Sequence, residues 1–308
     1  MRIIFMGTPE FAIPSLDILV KQGYEIAAVV TAPDKPAGRG RKLQPSPVKT
    51  YAEEQGLPLL QPEKLRDPDF LAALQALQAD LMVVVAFRML PKAVWSLPAK
   101  GTFNLHSSLL PDYRGAAPIN WAIINGETRS GVTTFLIDEA IDTGNLLLQE
   151  SVEIPYDWTA GDLHDDLMQR GAALVLQTVQ GLEAGTLQAK PQDDTLARHH
   201  APKLFRDDCR IDWHAPGPQV CNHIRGLSPY PTAWTLLNGK VLKLFRASLG
   251  AACDVPPGTA AISPDSTYLR IATASHWLEV SELQIEGKRR MSVRDFLHGF
   301  QEPLDAVE

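Results

Sequence analysis

Asn104, His106 and Asp142 are the residues whose types and spacing could share one reaction. Asn104 and His106 lie in FNLH, an apolar run that reads as a short strand. Two positions apart on an extended backbone, their side chains leave the same face. Asp142 lies in DEAIDTG at 138–144, a polar loop that follows a second predicted strand. If the fold brings these strand ends together, an amide, an imidazole and a carboxylate suit acyl transfer to an amine. The carbonyl oxygen becomes negative in the tetrahedral intermediate and is stabilised by donors such as an Asn amide and a His ring. The amine must attack unprotonated and then lose a proton, which a carboxylate or imidazole can relay.

The other catalytic chemistries are poorly supplied. No serine-elbow motif is present, and Ser107 and Ser108 adjoin His106 along a strand where successive side chains alternate faces. Cys209, Cys221 and Cys253 are odd in number and widely spaced, so they match neither a disulfide framework nor a zinc pattern, and they read as buried or partly buried thiols. The paired His199 and His200 have no thiol or carboxylate at ligand spacing and read as solvent-exposed, so no metal is expected. Without a protein nucleophile, the expected scheme brings two bound substrates together for direct transfer. Each of the three residues also has a purely structural reading: a strand-end amide, a hydrogen-bonded core histidine, a turn aspartate.

The elements that must position these residues alternate. RIIFM at 2–6, EIAAVVT at 25–31 and DLMVVVA at 80–86 are apolar runs separated by helical patterns, the last expected as a strand buried on both faces. GVTTFLID at 131–138 and LLLQESVEI at 146–154 add β-rich segments, and a long helix is predicted over about 160–184. This is an α/β pattern with a doubly wound, mostly parallel sheet, in which ligands sit beyond the carboxyl ends of the strands. The turn GTPEF has one glycine, so a dinucleotide fingerprint is absent. APDKPAGRGRKLQPSPVK at 32–49 holds four prolines, two glycines and five cations, and is expected to be irregular, with Arg39, Arg41 and Lys42 facing a phosphate-bearing partner. After a polar stretch at 189–207, five short β-rich segments between 232 and 284 suggest a smaller β-barrel, OB-like in type. The expected organisation is a catalytic domain over 1–188, a linker over 189–207 and a carboxy-terminal barrel over 208–308.

Charge distribution narrows the partners. The 308-residue chain carries a formal net charge of −7, which argues against nucleic acid coating its whole surface. Residues 1–202 hold 17 Lys and Arg against 24 Asp and Glu, whereas residues 203–308 hold 12 against 12. All the acidic excess therefore lies in the first two thirds. No apolar run reaches the length of a membrane span and no signal-peptide layout opens the chain, so a cytoplasmic location without membrane contact is expected. No long exposed apolar stripe calls for a partner subunit, and a monomer is expected.

FNLHSSLLPDYRGAAPINWAIINGE, with DEAIDTG downstream, resembles the signature of the 10-formyltetrahydrofolate-dependent formyltransferases. MRIIFMGTPEFAIPSL, the loop DKPAGRGRKLQPSPVK and CRIDWHAPGPQVCNHIRGLSPYPTAW extend the resemblance over nearly the whole chain, toward members that act on methionyl-tRNA. The resemblance implies a formyltransferase-like Rossmann fold. It also implies formyl transfer from 10-formyltetrahydrofolate to the α-amine of initiator methionyl-tRNA, in a bacterial cytoplasm. Family catalytic roles fall on Asn104, His106 and Asp142. Folate contacts fall on Ser108, Leu109, Leu110, Pro111, Asp138 and Ile141, and tRNA contacts on Arg39, Arg41, Lys42 and the carboxy-terminal barrel. One turn departs from the family pattern: AFRMLP at 86–91 is a residue shorter than the usual AYGLILP and carries Arg88 where a small residue is usual. Two rivals remain at this point, a formyltransferase or formyl hydrolase acting on a small molecule, and a non-catalytic RNA-binding protein that kept the fold.

Overall fold

The computed structural model describes residues 1–37, 42–263, 267–300 and 306–307, and divides the chain into two compact units. The first comprises Met1–Gly115, Ser130–Val152 and His164–His200; the second comprises Ala116–Arg129, Glu153–Leu163 and Ala201–Glu308.

In chain order the elements begin with strand β1 (Arg2–Gly7), helix α1 (Ile13–Lys21) and β2 (Glu25–Val30). The short strands β3 (Lys35–Ala37) and β4 (Lys42–Gln44) precede α2 (Pro47–Glu54), β5 (Leu59–Leu60) and α3 (Pro68–Ala76). Then come β6 (Leu81–Val85), α4 (Lys92–Trp95), β7 (Thr102–His106), β8 (Arg114–Gly115) and α5 (Pro118–Ile124). The hairpin partners β9 (Arg129–Leu136) and β10 (Leu146–Glu153) lead into the long α6 (Ala160–Ala184).

Seven of these strands form one sheet in the order β10-β9-β7-β6-β1-β2-β5. From β7 to β5 every neighbouring pair is parallel, and β9 joins β7 antiparallel. The strand order reverses direction between β1 and β6, the kind of position where such sheets open a crevice at their carboxyl ends. Burial accounts for the continuous apolar runs: Ile3 to Met6 are fully buried, and every residue of β6 is buried. Ile4, Met6, Met82 and Val84 meet Phe70 and Leu74 of α3 on one face. On the face carrying Leu105, α6 comes so close that a Cβ on Gly171 would stand 2.6 Å from the Leu105 side chain. Phe103 and Leu105 therefore seal the core on one side of β7, and Asn104 and His106 leave from the other.

The loop at 32–49 is more regular than its prolines and glycines suggested. β3 and β4 pair antiparallel through Lys35–Gln44, Pro36–Leu43 and Ala37–Lys42. The hairpin is fastened at its base, where Lys49 Nζ donates to Asp34 at 2.7 Å and Gln61 Nε2 donates to the same carboxylate at 2.9 Å. Ser46 caps α2, accepting from the Lys49 amide, and Pro47 occupies the first helical turn, where its missing N–H costs nothing. Arg39 and Arg41 lie outside the described residues; Lys42 has its backbone in β4.

Strand β11 (His200–Ala201) has one residue in each unit, and the second unit contains α7 (Gly217–Gly226), β12 (Ala233–Leu237), β13 (Lys240–Ala252), β14 (Ala260–Ile262), β15 (Leu269–Ala272), β16 (His276–Ile285), β17 (Met291–Ser292) and α8 (Val293–Gly299). Strands β12 to β17 make a six-stranded sheet in which every neighbouring pair is antiparallel. Its core gathers Trp213, Ile224 and Leu227 with Leu242, Leu244, Leu278 and Leu283. Cys209 and Cys221 are buried and Cys253 is half-buried, all as free thiols. Among the described residues no helix is long and apolar enough to cross a membrane.

Candidate active site

His106 ends β7, paired with Thr133 of β9, and is 6 % exposed. Its Nε2 donates to the carbonyl oxygen of Tyr113 at 2.9 Å. A carbonyl only accepts, so this bond fixes the proton on Nε2 and leaves Nδ1 as the ring nitrogen available for chemistry. Nδ1 stands 3.8 Å from Asp142 Oδ2. That is too long for a direct hydrogen bond and short enough for a proton to pass through one intervening group. Asn104, two residues earlier on the same face of β7, is half-buried.

Asp142 is held from several sides. Its Oδ2 accepts from the Gly115 amide at 3.0 Å, and its backbone lies in the left-handed region, at φ 57°. Asp138 shapes the same turn by accepting from the Ala140 amide at 3.1 Å and the Thr143 hydroxyl at 2.8 Å. Gly144 closes it, and a Cβ there would fall 1.6 Å from the Leu136 carbonyl oxygen. Only glycine allows the chain to fold back so tightly on the end of β9.

The segment after His106 is built from the inside. Ser108 Oγ donates to the Asp112 carbonyl at 2.7 Å, and the Ser108 carbonyl accepts from Thr133 Oγ1 at 2.6 Å. The Leu110 amide donates to Thr133 Oγ1 at 3.2 Å, and Gln149 Nε2 donates to the Leu110 carbonyl at 2.8 Å. Ser108, Leu110 and Pro111 are buried and Leu109 is half-buried, while Asp138 and Ile141 are exposed. The fully buried Thr133 is the hub of these bonds; its only trace in the sequence is a threonine pair in the middle of an apolar strand.

Several contributors had no readable signal. Tyr113 and Gly115 act through backbone groups, which no residue type announces. His199 is not free in solvent: it stacks on Tyr113 at 5.0 Å, and its amide donates to Asp112 at 2.7 Å. In the turn at 86–91, Arg88 donates to the carbonyls of Pro62 and Glu63 and lies over the Phe87 ring at 5.5 Å. A surface cavity of about 520 Å³ lined by Leu60 to Lys64, Asp67, Phe70 and Ala73 includes none of the predicted site residues.

Sequence and fold both have known relatives. Residues 1–179 match the formyl transferase family and residues 203–301 match the formyl transferase carboxy-terminal domain. The chain belongs to the formyl transferase family. It is 49 % identical over 312 residues to the methionyl-tRNA formyltransferase of Parabacteroides distasonis, covering 98 % of this chain and 96 % of that protein. It is 46 % identical over 300 residues to the methionyl-tRNA formyltransferase of Geobacter metallireducens, covering 97 % and 96 %. Among solved structures, the sugar 3N-formyl transferase WlaRD, crystallised with dTDP and 5-N-formyl-THF, superposes with a TM-score of 0.68 at 20 % identity, over 94 % of this chain and 99 % of that one. HypX from Aquifex aeolicus in complex with tetrahydrofolic acid superposes with a TM-score of 0.67 at 18 % identity, over all of this chain and 50 % of that one. These two likenesses concern the fold.

Proposed function

We propose that this chain transfers a formyl group from 10-formyltetrahydrofolate to the α-amine of methionyl-initiator tRNA, giving formylmethionyl-tRNA for translation initiation. The observation that carries the mechanism is the approach of Asp142 Oδ2 to His106 Nδ1 at a strand end that also presents Asn104. The near full-length likeness to methionyl-tRNA formyltransferases supports the choice of acceptor over a small amine.

In its imidazolium form His106 carries a second proton on Nδ1, and with Asn104 it donates to the formyl oxygen as that oxygen gains charge in the tetrahedral intermediate. Asp142 places its negative charge beside the ring and takes up the proton released by the attacking amine. The new C–N bond forms to the methionyl nitrogen, the bond from the formyl carbon to the folate nitrogen breaks, and the proton returns to that leaving nitrogen. No metal is called for, because two side-chain donors face the developing charge. The loops at 107–111 and 138–141 cradle the folate, Ser108, Leu109, Leu110 and Pro111 from one side and Asp138 and Ile141 from the other. Residues 1–188 carry the transfer chemistry and 208–308, with Arg39, Arg41 and Lys42 of the basic loop, hold the tRNA. The protein works as a monomer in a bacterial cytoplasm.

The test offers methionyl-tRNA, free methionine and small amines separately with 10-formyltetrahydrofolate. Formylation of the charged tRNA alone supports the reading. Preference for a small amine, hydrolysis of the folate without transfer, or tRNA binding without turnover contradicts it.

A further inference from the structure

Gln192 lies in a polar stretch with no helical or strand periodicity, yet it joins both loops of the candidate site. Its Nε2 donates to the backbone carbonyls of Asp142 and Gly144, each at 2.8 Å. Its Oε1 accepts from Arg114 Nε at 3.2 Å and from the Arg114 terminal nitrogen at 2.6 Å. Arg114 in turn pairs with Asp194 at 2.7 Å, and its side chain is 13 % exposed. A single half-buried amide thus ties the turn that carries Asp142 to the loop whose Tyr113 carbonyl fixes the His106 tautomer.

The amide is itself held in place. Lys190 and Leu146 exchange backbone hydrogen bonds at 2.9 and 2.7 Å, which pins the chain two residues before Gln192 beside the start of β10. Asp193 follows with a tight turn, accepting from the Thr195 amide at 3.0 Å and hydroxyl at 2.7 Å. Further along, the Asp112 carboxylate accepts from the amides of Arg198 and His199. Residues 190–199 therefore form a strap, stitched to the first unit at Leu146, at the Asp142 turn and at Asp112.

We infer that Gln192 is a positioning residue for the transfer reaction, acting through Asp142 by donating to the carbonyls of its turn. This inference rests on the catalytic reading of Asp142. The physical need is clear, because Asp142 adopts a left-handed backbone that a non-glycine residue visits only when its surroundings hold it there. Its carboxylate must also stay near a nitrogen that it does not touch directly, so no bond to His106 corrects its placement. Displacing a reacting group by an ångström costs on the order of a hundredfold in rate.

Two substitutions divide the amide's roles in the full-length protein. Gln192→Glu keeps an acceptor for Arg114 and loses the donor to the Asp142 turn; Gln192→Lys keeps a donor and loses the acceptor. For Gln192→Glu we expect kcat to fall about tenfold or more, with KM for methionyl-tRNA and for 10-formyltetrahydrofolate within about threefold of wild type. Gln192→Lys should retain the larger kcat of the two. The opposite order, wild-type kcat in both, a loss confined to KM, or unfolding of both variants by thermal melt would overturn the inference. Asp142→Asn is assayed alongside: a wild-type rate there removes the catalytic reading itself, whereas impaired Asp142→Asn beside fully active Gln192→Glu removes only the role of Gln192.

Discussion

His106 turns Nδ1, not Nε2, toward Asp142, and the two groups stand 3.8 Å apart. The cause is the Tyr113 carbonyl, which accepts a hydrogen bond from Nε2–H at 2.9 Å. This pairing makes the imidazole one-sided, with one nitrogen spent on its own orientation and the other facing Asp142. A serine-type triad would instead place a hydroxyl against the second nitrogen, and neither Ser107 nor Ser108 is so used: Ser108 Oγ donates to the Asp112 carbonyl.

Asn104→Ala should remove one donor from the developing oxyanion. The expected loss is about a hundredfold in kcat, the usual scale for one such donor, with both KM values within about threefold. Steady-state kinetics on methionyl-tRNA decide it, and an unchanged kcat would take Asn104 out of the site.

Gly144→Ala tests the turn that delivers Asp142. The added Cβ would sit 1.6 Å from the Leu136 carbonyl oxygen, so the backbone at 137–145 has to move. We expect about 1–3 kcal/mol lower stability in denaturant titration, as for other overpacked positions, together with a disproportionate loss of kcat. Full activity in this variant would mean that the turn tolerates displacement.

The base of the basic hairpin carries a pH dependence whose sign is fixed. The Lys49 ammonium, and then the Gln61 amide, hold the Asp34 carboxyl below its usual range. A depressed folded value stabilises above the unfolded carboxylate pKa of about 4 and loses that contribution as pH falls through the folded value. The test follows unfolding free energy between neutral pH and about pH 2 in wild type and in Asp34→Asn. The direct expectation is that Asp34→Asn destabilises at neutral pH and that the difference from wild type shrinks toward acid. A constant difference across the range would exclude the ion pair as its source.

Arg41→Ala is expected to raise KM for methionyl-tRNA while sparing kcat. If the side chain neutralises one phosphate, the slope of log affinity against log salt should become shallower by about one. Unchanged tRNA kinetics and an unchanged slope would remove Arg41 from the tRNA contacts.

Much of the first sheet was legible because each strand is a short, unbroken apolar run, and β6 is buried on both faces as such a run requires. Asn104 and His106 were legible from their spacing, since strand geometry puts them on one face. What could not be read was everything that depends on distant partners. Gln192 meets Asp142 across 50 residues and His199 meets Asp112 across 87, in segments without periodicity. The hairpin of β3 and β4 escaped notice because three-residue strands beside prolines leave too short a pattern. One element was opaque in another respect: α5 falls in the second compact unit, with residues 153–163 and 201–308, although it directly follows the site motif in sequence.

The most direct measurement is single-turnover formylation of methionyl-tRNA with 10-formyltetrahydrofolate by wild type and by Asp142→Ala, with tRNA affinity measured on the same preparations. The account predicts that the variant binds tRNA as wild type does and transfers the formyl group at a rate lower by about a hundredfold or more, since it has lost both a proton acceptor and the negative charge beside His106. Equal single-turnover rates in the two proteins would contradict it.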